Sequence, residues 1–330
     1  MSLAEKNHSA RTGLPLAIGL TAAIVAARED EPLILTVPEA PGSPVGLPSG
    51  EFDPLLHRTF EIALRAFVAE QTGAPLGYVE QLYTFGDRGR HARAGDRDPH
   101  IVSVGYLALT RFSHQQSGRV GGYRPWYAFF PWEDWRQGRP EIIETTILPE
   151  LRRWIDEAPD EISSSGLTRA ERFNLLFKPQ GREFNEENVL ERYELLYEAG
   201  LVEEALRDGR EAAKRRGALA PLGLAMRHDH RRIMATAIGR LRAKMKYRPV
   251  IFELMPTLFT LTELQRMVEA ISGRHLHKQN FRRLVETSAI VEATGDMSLN
   301  TGGRPAALFR FRRDVLQERP APGLRVRVGG

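Results

Sequence analysis

A short stretch near the carboxyl end of the chain has the residue types and the spacing needed to contact a nucleic acid. Between residues 278 and 286, four polar residues recur at helical spacing: Lys278, Gln279, Arg282 and Arg283. On a helix they share one face, while Phe281, Leu284 and Val285 share the inward face. Arg, Lys and Gln side chains can reach phosphates and the edges of guanine and adenine in the major groove. The pattern predicts a recognition helix.

The preceding segment predicts the helix that would support this one. Thr260 and Glu263 form a capping box, which opens a helix over residues 261–271. Gly273 is typical of a helix end, and the short turn after it leads directly into the polar stretch. Two helices joined by a tight turn are the arrangement that presents a recognition helix to DNA.

The following segment predicts a wing. Two β-like runs, residues 289–293 and 306–311, flank a loop that carries Arg304 near its tip. Caps, turn, polar face and hairpin therefore occur in the order of a winged helix-turn-helix. We expect double-stranded operator DNA to be bound by residues of both helices and the wing, namely Thr262, His277, Lys278, Gln279, Asn280, Arg282, Arg283 and Arg304.

Composition bounds the rest of the chain. Its 330 residues have room for two domains, and a hydrophobic content of 42% suffices for real cores. The absence of cysteine excludes disulfides, thiolate zinc sites and cysteine nucleophiles. The net charge is +4, but residues 246–330 hold 14 Lys/Arg against 8 Asp/Glu, whereas residues 141–216 hold 12 against 18. The basic end is the part that would meet a polyanion.

The amino-terminal part predicts an α/β domain. Two apolar runs, residues 14–27 and 32–37, are joined by acidic residues, which favours a β-hairpin over a signal peptide and hence a cytoplasmic protein. After a Pro/Gly-rich loop, Asp53-Pro54 is predicted to open a helix that ends at Gly73. Strand-like runs follow at residues 77–85 and 101–109.

The middle of the chain is acidic and helix-prone. This segment covers residues 136–217, and a further helix is predicted over residues 229–246. Pro249 then marks a boundary. We therefore expect two domains, residues 1–246 with the acidic segment as an insertion, and residues 247–330 as the winged helix.

Motifs along nearly the whole chain resemble one family. They are Glu70-Gln71-Thr72-Gly73, Tyr78-Val79-Glu80-Gln81-Leu82-Tyr83-Thr84-Phe85-Gly86-Asp87, His228-Asp229-His230-Arg231-Arg232, Tyr247-Arg248-Pro249, Phe252-Glu253-Leu254-Met255-Pro256, Phe259-Thr260-Leu261-Thr262-Glu263, Asn280-Phe281-Arg282-Arg283 and Gly303-Arg304-Pro305-Ala306. The first two resemble a Nudix domain, and the whole set is similar to the Nudix-related transcriptional regulators of NAD metabolism, the NrtR family. The resemblance implies an α+β fold, in which a Nudix-type α/β/α sandwich with a helical insertion is followed by a winged helix-turn-helix domain.

The signature of Nudix hydrolases, G-x5-E-x7-R-E-U-x-E-E-x-G-U, is degraded in this chain. Anchored on Gly73, the paired acids fall on Glu70 and Gln71, and the Arg-Glu pair falls on Ala66 and Phe67. Hydrolysis needs several carboxylates to hold Mg²⁺ against a pyrophosphate, and only Glu70 survives at those positions. We therefore expect no metal, no cofactor and no hydrolase activity.

Nucleotide binding requires a pocket of suitable shape and a few polar groups, and both can remain after the metal-binding carboxylates have been lost. By resemblance the ligand is ADP-ribose or a related NAD-derived nucleotide, and the regulated genes serve NAD synthesis or a neighbouring pentose or cofactor pathway. We expect the protein to be a homodimeric repressor. On the shared motifs, the residues expected to line the pocket are Glu70, Glu80, Tyr83, Phe85, Asp87 and Arg88.

Two other functions remain open from the sequence. The first is a Nudix-type hydrolase of a nucleoside diphosphate-linked substrate with unorthodox metal ligands, drawn from Glu51, Asp53, Glu61 and Glu70. The second is an interaction protein, whose acidic insertion binds a partner and whose winged helix has become a docking surface. An assay for turnover and an assay for DNA binding separate them.

Four further clusters could contact ligands. His228 and His230 would diverge on a helix, and His275 and His277 precede the recognition helix, where phosphate contact is favoured over zinc. The basic loop at residues 88–93 could touch phosphates or be solvated. Core packing is favoured over base stacking for the aromatic residues Tyr123, Trp126, Tyr127, Phe129, Phe130, Trp132 and Trp135.

Overall fold

A computed structural model describes residues 16–38, 42–87, 100–112, 122–177, 184–216, 220–298, 305–318 and 324. The chain begins with the predicted hairpin, in which strand β1 (Leu16–Arg28) turns back into β2 (Glu31–Thr36). Val25 lies opposite Ile34 in this antiparallel pair. Strand β2 and residues 20–27 of β1 are almost entirely buried, as expected from two continuous apolar runs.

Strand β1 organises a six-stranded sheet. It pairs with β2, with β3 (Ser49–Glu51) and, in parallel, with β5 (His100–Leu109). The strand order is β4-β5-β1-β2-β6, so that β4 (Val79–Phe85) and β6 (Gly122–Pro125) lie at the edges.

Helices cover both faces of the sheet. Helix α1 (Phe60–Thr72) packs on the face formed by Leu20, Ala22 and Ile24, and α7 (His230–Met245) packs on the opposite face, to which Ala23 and Val25 belong. Successive strand residues point to opposite faces, so the apolar run of β1 supplies two cores at once. The expected α/β/α sandwich is confirmed.

Helix α1 does not begin at Asp53-Pro54 as predicted. The Asp53 carboxylate accepts a hydrogen bond from the Leu55 amide at 2.8 Å and holds a turn instead. The helix starts at Phe60, where the hydroxyl of Thr59 accepts from the Ile62 amide. Its predicted end is confirmed, because Gly73 adopts a left-handed conformation with φ of 67°.

The acidic segment between β6 and α7 forms five α-helices in the described residues. They are α2 (Leu148–Glu157), α3 (Arg169–Leu176), α4 (Val189–Glu198), α5 (Glu203–Arg207) and α6 (Glu211–Arg216). Helix α4 packs along α7, on the side of the sheet away from α1. The inserted helices thus extend the core on one face of the sandwich.

The aromatic cluster after β6 belongs to this core, as the sequence favoured. Trp126, Phe129, Phe130 and Trp132 have no exposed surface. The two histidines near α7 are arranged differently from the prediction: only His230 is on the helix, while His228 precedes it with φ of 49°. The His230 Nδ1 accepts a hydrogen bond from the Leu47 amide. The basic loop at residues 88–93 lies outside the described residues.

Beyond α7, the chain folds as a winged helix. Helices α8 (Leu261–Ser272) and α9 (Lys278–Ser288) are followed by strands β7 (Val291–Ser298) and β8 (Ala306–Phe311), and α10 (Val315–Glu318) follows. Phe259 pairs with Phe309 beside the hairpin. Strand β7 starts later and runs further than the predicted residues 289–293, because Ala289 ends α9 in a left-handed conformation. In the described part of the chain, no helix is long and apolar enough to span a bilayer.

Candidate nucleic-acid interface and nucleotide site

Helix α9 has an inner apolar face and an outer polar face, as the sequence predicts. Phe281 and Val285 are 2% and 1% exposed and point into the winged helix. The outer face carries the predicted polar residues, all of them exposed: His277, Lys278, Gln279, Asn280, Arg282 and Arg283. The structure therefore brings six of the predicted DNA-binding residues together on one surface.

The turn before α9 is fixed by a carboxylate that the sequence did not single out. Glu269 accepts hydrogen bonds from the Leu276 amide at 2.7 Å and from the Gln265 side chain at 3.1 Å. The Gln265 side chain also donates to the Leu276 carbonyl. Gln265 and Glu269 lie four residues apart on α8, so they share one face and hold the turn that orients α9.

The amino terminus of α8 is also exposed. The Thr260 hydroxyl accepts from the Glu263 amide, and the Glu263 carboxylate accepts from the Thr260 amide, which confirms the capping box. Thr262 lies exposed in this first turn, where helix dipole and amide groups favour phosphate. Arg304, the predicted wing residue, lies outside the described residues.

The described residues predicted to bind a nucleotide lie on two sides of the sheet. Glu80 belongs to the α7 side of β4, whereas Glu70 is exposed on α1, across the sheet. The two motifs are close in sequence, but the sheet passes between them. The binding of a nucleotide by these residues stays a prediction, and Arg88 lies outside the described residues.

Cationic residues of α7 lie beside the other residues predicted to bind the nucleotide. Arg232, Arg240 and Lys244 follow one face of α7 at intervals of eight and four residues. Arg232 pairs with Asp87 and lies 5.4 Å from the centre of the Phe85 ring, which packs edge-on against Tyr83. The helical spacing of the three cationic residues was the signal that could have identified them as partners of β4.

Glu80 lies at the other end of this cationic face. Its carboxylate is 2.6 Å from the Lys244 ammonium and 3.3 Å from Arg240, and it accepts a hydrogen bond from the Tyr78 hydroxyl. Burial alone would raise the pKa of Glu80, but hydrogen bonds from Lys244 and Tyr78 outweigh it, and the pKa lies below its ordinary value of 4.5.

Replacing Glu80 with glutamine should lower the free energy of unfolding by about 1 kcal/mol at neutral pH. Because the folded-state pKa of Glu80 is lowered, its contribution is fully present above pH 4.5 and is lost as the pH falls through the folded value. Urea unfolding of Glu80→Gln and wild type at pH 7 and in mild acid measures this. The exposed Glu70→Gln is the control. A difference that stayed constant with pH would contradict the assignment.

Helix α1 presents two carboxylates, Glu61 and Glu70. They are nine residues apart, which corresponds to about 13 Å along a helix. Glu61 is occupied by Arg65, at 2.9 Å. Among the residues that the structure describes, no group of three or more His, Asp or Glu side chains is placed to hold a metal ion.

Comparison with known proteins agrees with this architecture. Residues 251–311 match the NrtR DNA-binding winged helix domain. The chain is 46% identical over 90 residues to the ADPR responsive transcriptional repressor NtrR of Acinetobacter baylyi, over 27% of this chain and 36% of that protein. The match thus spans about a third of the curated relative.

Solved structures extend the likeness to the fold of nearly the whole chain. The crystal structure of Shewanella oneidensis NrtR complexed with a 27mer DNA superposes with a TM-score of 0.53 at 19% identity, over 91% of this chain and 95% of that one. Another crystal structure of that NrtR gives 0.52 at 20% identity, over 90% and 94%. The chain therefore has the fold of those structures, a sandwich followed by a winged helix, and its residues 251–311 match the NrtR DNA-binding winged helix domain.

Proposed function

We propose that this protein is a transcriptional repressor that binds operator DNA through its winged helix and responds to ADP-ribose or a related NAD-derived nucleotide. The observation that carries the proposal is the exposed polar face of α9, on a domain that matches the NrtR DNA-binding family. Lys278, Gln279, Arg282 and Arg283 enter or flank the major groove in this proposal, and Thr262 and His277 contact backbone phosphates. Arg304 of the wing contacts backbone or minor groove.

Binding to an operator requires a pair of such surfaces. A homodimer would place its two α9 helices ~34–36 Å apart, matching successive major grooves of a pseudo-palindromic site. We propose the two domains as residues 1–246 and 247–330, with the inserted helices in the first. A protein with this task works on operator DNA, and we propose a cytoplasmic location for it.

The nucleotide is proposed to bind on the α7 side of β4. Support comes from the Acinetobacter baylyi relative, which is named as responsive to ADPR, and from the aromatic and charged groups gathered there. Tyr83 is 63% exposed and offers a ring for a base or ribose. Arg240, 46% exposed, and Arg232 offer guanidinium groups for a diphosphate, which would bind by replacing the carboxylates of Glu80 and Asp87.

Hydrolysis is not part of the proposed function. The separation of Glu61 and Glu70 along α1 prevents both from holding one Mg²⁺ ion, and Glu61 already pairs with Arg65. Without a metal, the developing charge on a pyrophosphate would lack its main stabilisation. The carboxylates lost from the Nudix signature therefore support a binding domain that has no turnover.

Fluorescence anisotropy with labelled promoter DNA from upstream of the protein's own gene tests the proposal. The full chain should bind this DNA with submicromolar affinity in moderate salt, and more tightly than shuffled DNA of equal length. ADP-ribose should change the dissociation constant severalfold. In parallel, ADP-ribose and NAD are incubated with the protein and Mg²⁺ or Mn²⁺, with Glu70→Gln as the control.

The outcomes separate the competing functions. Equal, weak binding to all DNA at every salt concentration would refute the regulator and favour a protein-docking role for the winged helix. Rapid cleavage of a dinucleotide that Glu70→Gln abolishes would show that the protein is a hydrolase. DNA binding that ADP-ribose leaves unchanged, with no cleavage, would keep the regulator but reject this effector.

A further inference from the structure

A buried ion cluster joins the inserted helices, the sheet domain and the winged helix. At its centre is Glu133, in the turn that follows β6, with a side chain only 1% exposed. Its carboxylate accepts two hydrogen bonds from Arg192 of α4, at 2.6 and 2.8 Å, and one from Arg242 of α7, at 2.8 Å. Both guanidinium groups are as buried as the carboxylate.

Arg242 extends this cluster into the DNA-binding domain. Its Nε donates to the carbonyl of Ile271, at the carboxyl end of α8, at 2.9 Å. The Tyr127 hydroxyl donates to the neighbouring carbonyl of Ala270 at 2.7 Å and accepts from Arg242 at 3.3 Å. The last carbonyls of a helix lack partners within it, and a cation there is favoured by the helix dipole. The sheet domain thus caps α8.

Gly273 makes this close approach possible. It ends α8 with φ of 74°, and its carbonyl accepts a hydrogen bond from the Trp135 amide at 2.7 Å. A Cβ atom at this position would lie 2.4 Å from the carbonyl oxygen of Glu133 and 2.9 Å from the Tyr127 hydroxyl. The backbone of the winged helix therefore rests directly on the cluster.

The same helix that holds α8 also faces the proposed nucleotide site. Arg232, Arg240 and Lys244 pair with Asp87 and Glu80 of the β4 region, while Arg242 points to the opposite side, into the buried cluster. A rearrangement of the carboxylates on β4 would shift α7. Because buried charged groups cannot be left without partners, a shift of α7 must carry α8 with it or break hydrogen bonds to Ala270 and Ile271.

We propose that Tyr127, Glu133, Arg192 and Arg242 are positioning residues, which fix the winged helix on the sheet domain and transmit the nucleotide signal to the DNA. This inference rests on the proposed function. It also gives the insertion a role, since Arg192 of α4 holds Glu133 in place for Arg242.

Hydrogen exchange of the full chain, measured without DNA or nucleotide, tests whether these four residues fix the winged helix on the sheet domain. Tyr127→Phe removes one hydroxyl, and we expect backbone amides of α8 and α9 to exchange at least tenfold faster, while amides of β1 and β5 stay within twofold of wild type. Glu133→Gln should have the same pattern with a larger effect. Tyr197→Phe is the control, because it also removes one tyrosine hydroxyl, which bonds to Asp208 within the insertion.

A second measurement tests signal transmission. ADP-ribose is titrated against wild type and Tyr127→Phe, and the operator dissociation constant is measured with and without it. We expect Tyr127→Phe to bind ADP-ribose with unchanged affinity, but to lose most of the nucleotide-dependent change in DNA affinity. Tyr197→Phe should keep the wild-type change.

Each outcome supports or overturns the inference. Faster exchange in both domains alike, or equal effects of Tyr127→Phe and Tyr197→Phe, would show a general loss of stability and overturn it. So would a full nucleotide response in Tyr127→Phe. If Glu133→Gln does not fold, the two tyrosine variants decide. If wild type binds no DNA, the proposed regulator fails, and if it ignores ADP-ribose, this effector is rejected. In either case the exchange pattern still decides whether these residues fix the winged helix on the sheet.

Discussion

Replacing Arg282 and Arg283 together with alanine should lower operator affinity by about a hundredfold or more. Both side chains are exposed on the outer face of α9, and each contact to a base or phosphate in such a groove contributes ~1–3 kcal/mol. Anisotropy titrations at several salt concentrations measure the loss. Gln279→Ala alone should relax base preference, because an amide side chain reads adenine, whereas loss of a phosphate contact should weaken all sequences alike and flatten the salt dependence.

The control for this experiment is an arginine on the same chain but outside the winged helix. Arg153 of α2 is 68% exposed, and Arg153→Ala removes one positive charge from the insertion, where the double variant removes two from α9. It should leave operator affinity within about twofold, since it makes no groove contact. Unchanged operator binding in the Arg282, Arg283 double variant and in Gln279→Ala would mean that α9 is not the recognition helix.

Replacing Arg231 with methionine should destabilise the folded protein by about 3–5 kcal/mol. The Arg231 guanidinium is 1% exposed, pairs with Glu204 at 3.1 Å, and donates to the carbonyls of Phe129 and Leu222. Losing it leaves the Glu204 carboxylate, also 1% exposed, without its cation in a medium of low dielectric. Urea unfolding followed by circular dichroism gives the difference in free energy of unfolding.

A double variant shows whether the unpaired charge causes this loss. In Arg231→Met/Glu204→Gln the buried charge is removed, while a side-chain oxygen at position 204 can still accept from the Met226 amide, as Glu204 does at 2.9 Å. Most of the lost stability should return. A double variant as unstable as Arg231→Met would show instead that the aromatic packing around the guanidinium dominates, on Phe130, Trp132 and Tyr193.

The winged helix was predictable because its signals are local. The capping box of Thr260 and Glu263, the left-handed Gly273 and the alternation of Phe281 with arginines each act within a few residues. Strands β1 and β2 were predictable for the same reason, as continuous apolar runs joined by a charged turn. In these segments local preference and final fold agree.

The buried cluster around Glu133 was not predictable, because the residues that form it are distant in sequence. Glu133 meets Arg192 and Arg242 across separations of 59 and 109 residues. Any of the chain's 46 Lys/Arg could have been its partner on sequence grounds. The placement of Glu70 relative to Glu80 was not predictable for a related reason, because the two residues are ten positions apart and yet lie across the sheet from each other.

The close fit at Gly273 limits how the winged helix can be exchanged for another domain in evolution or by grafting. A domain attached through a flexible linker can be replaced by any other domain that folds. Here a chimaera would need a bare backbone at the end of its first helix, with two carbonyl groups aimed at Tyr127 and Arg242. A winged helix that lacks this surface would not pack against the sheet. If the proposed signal passes through these contacts, its DNA affinity would not respond to the nucleotide.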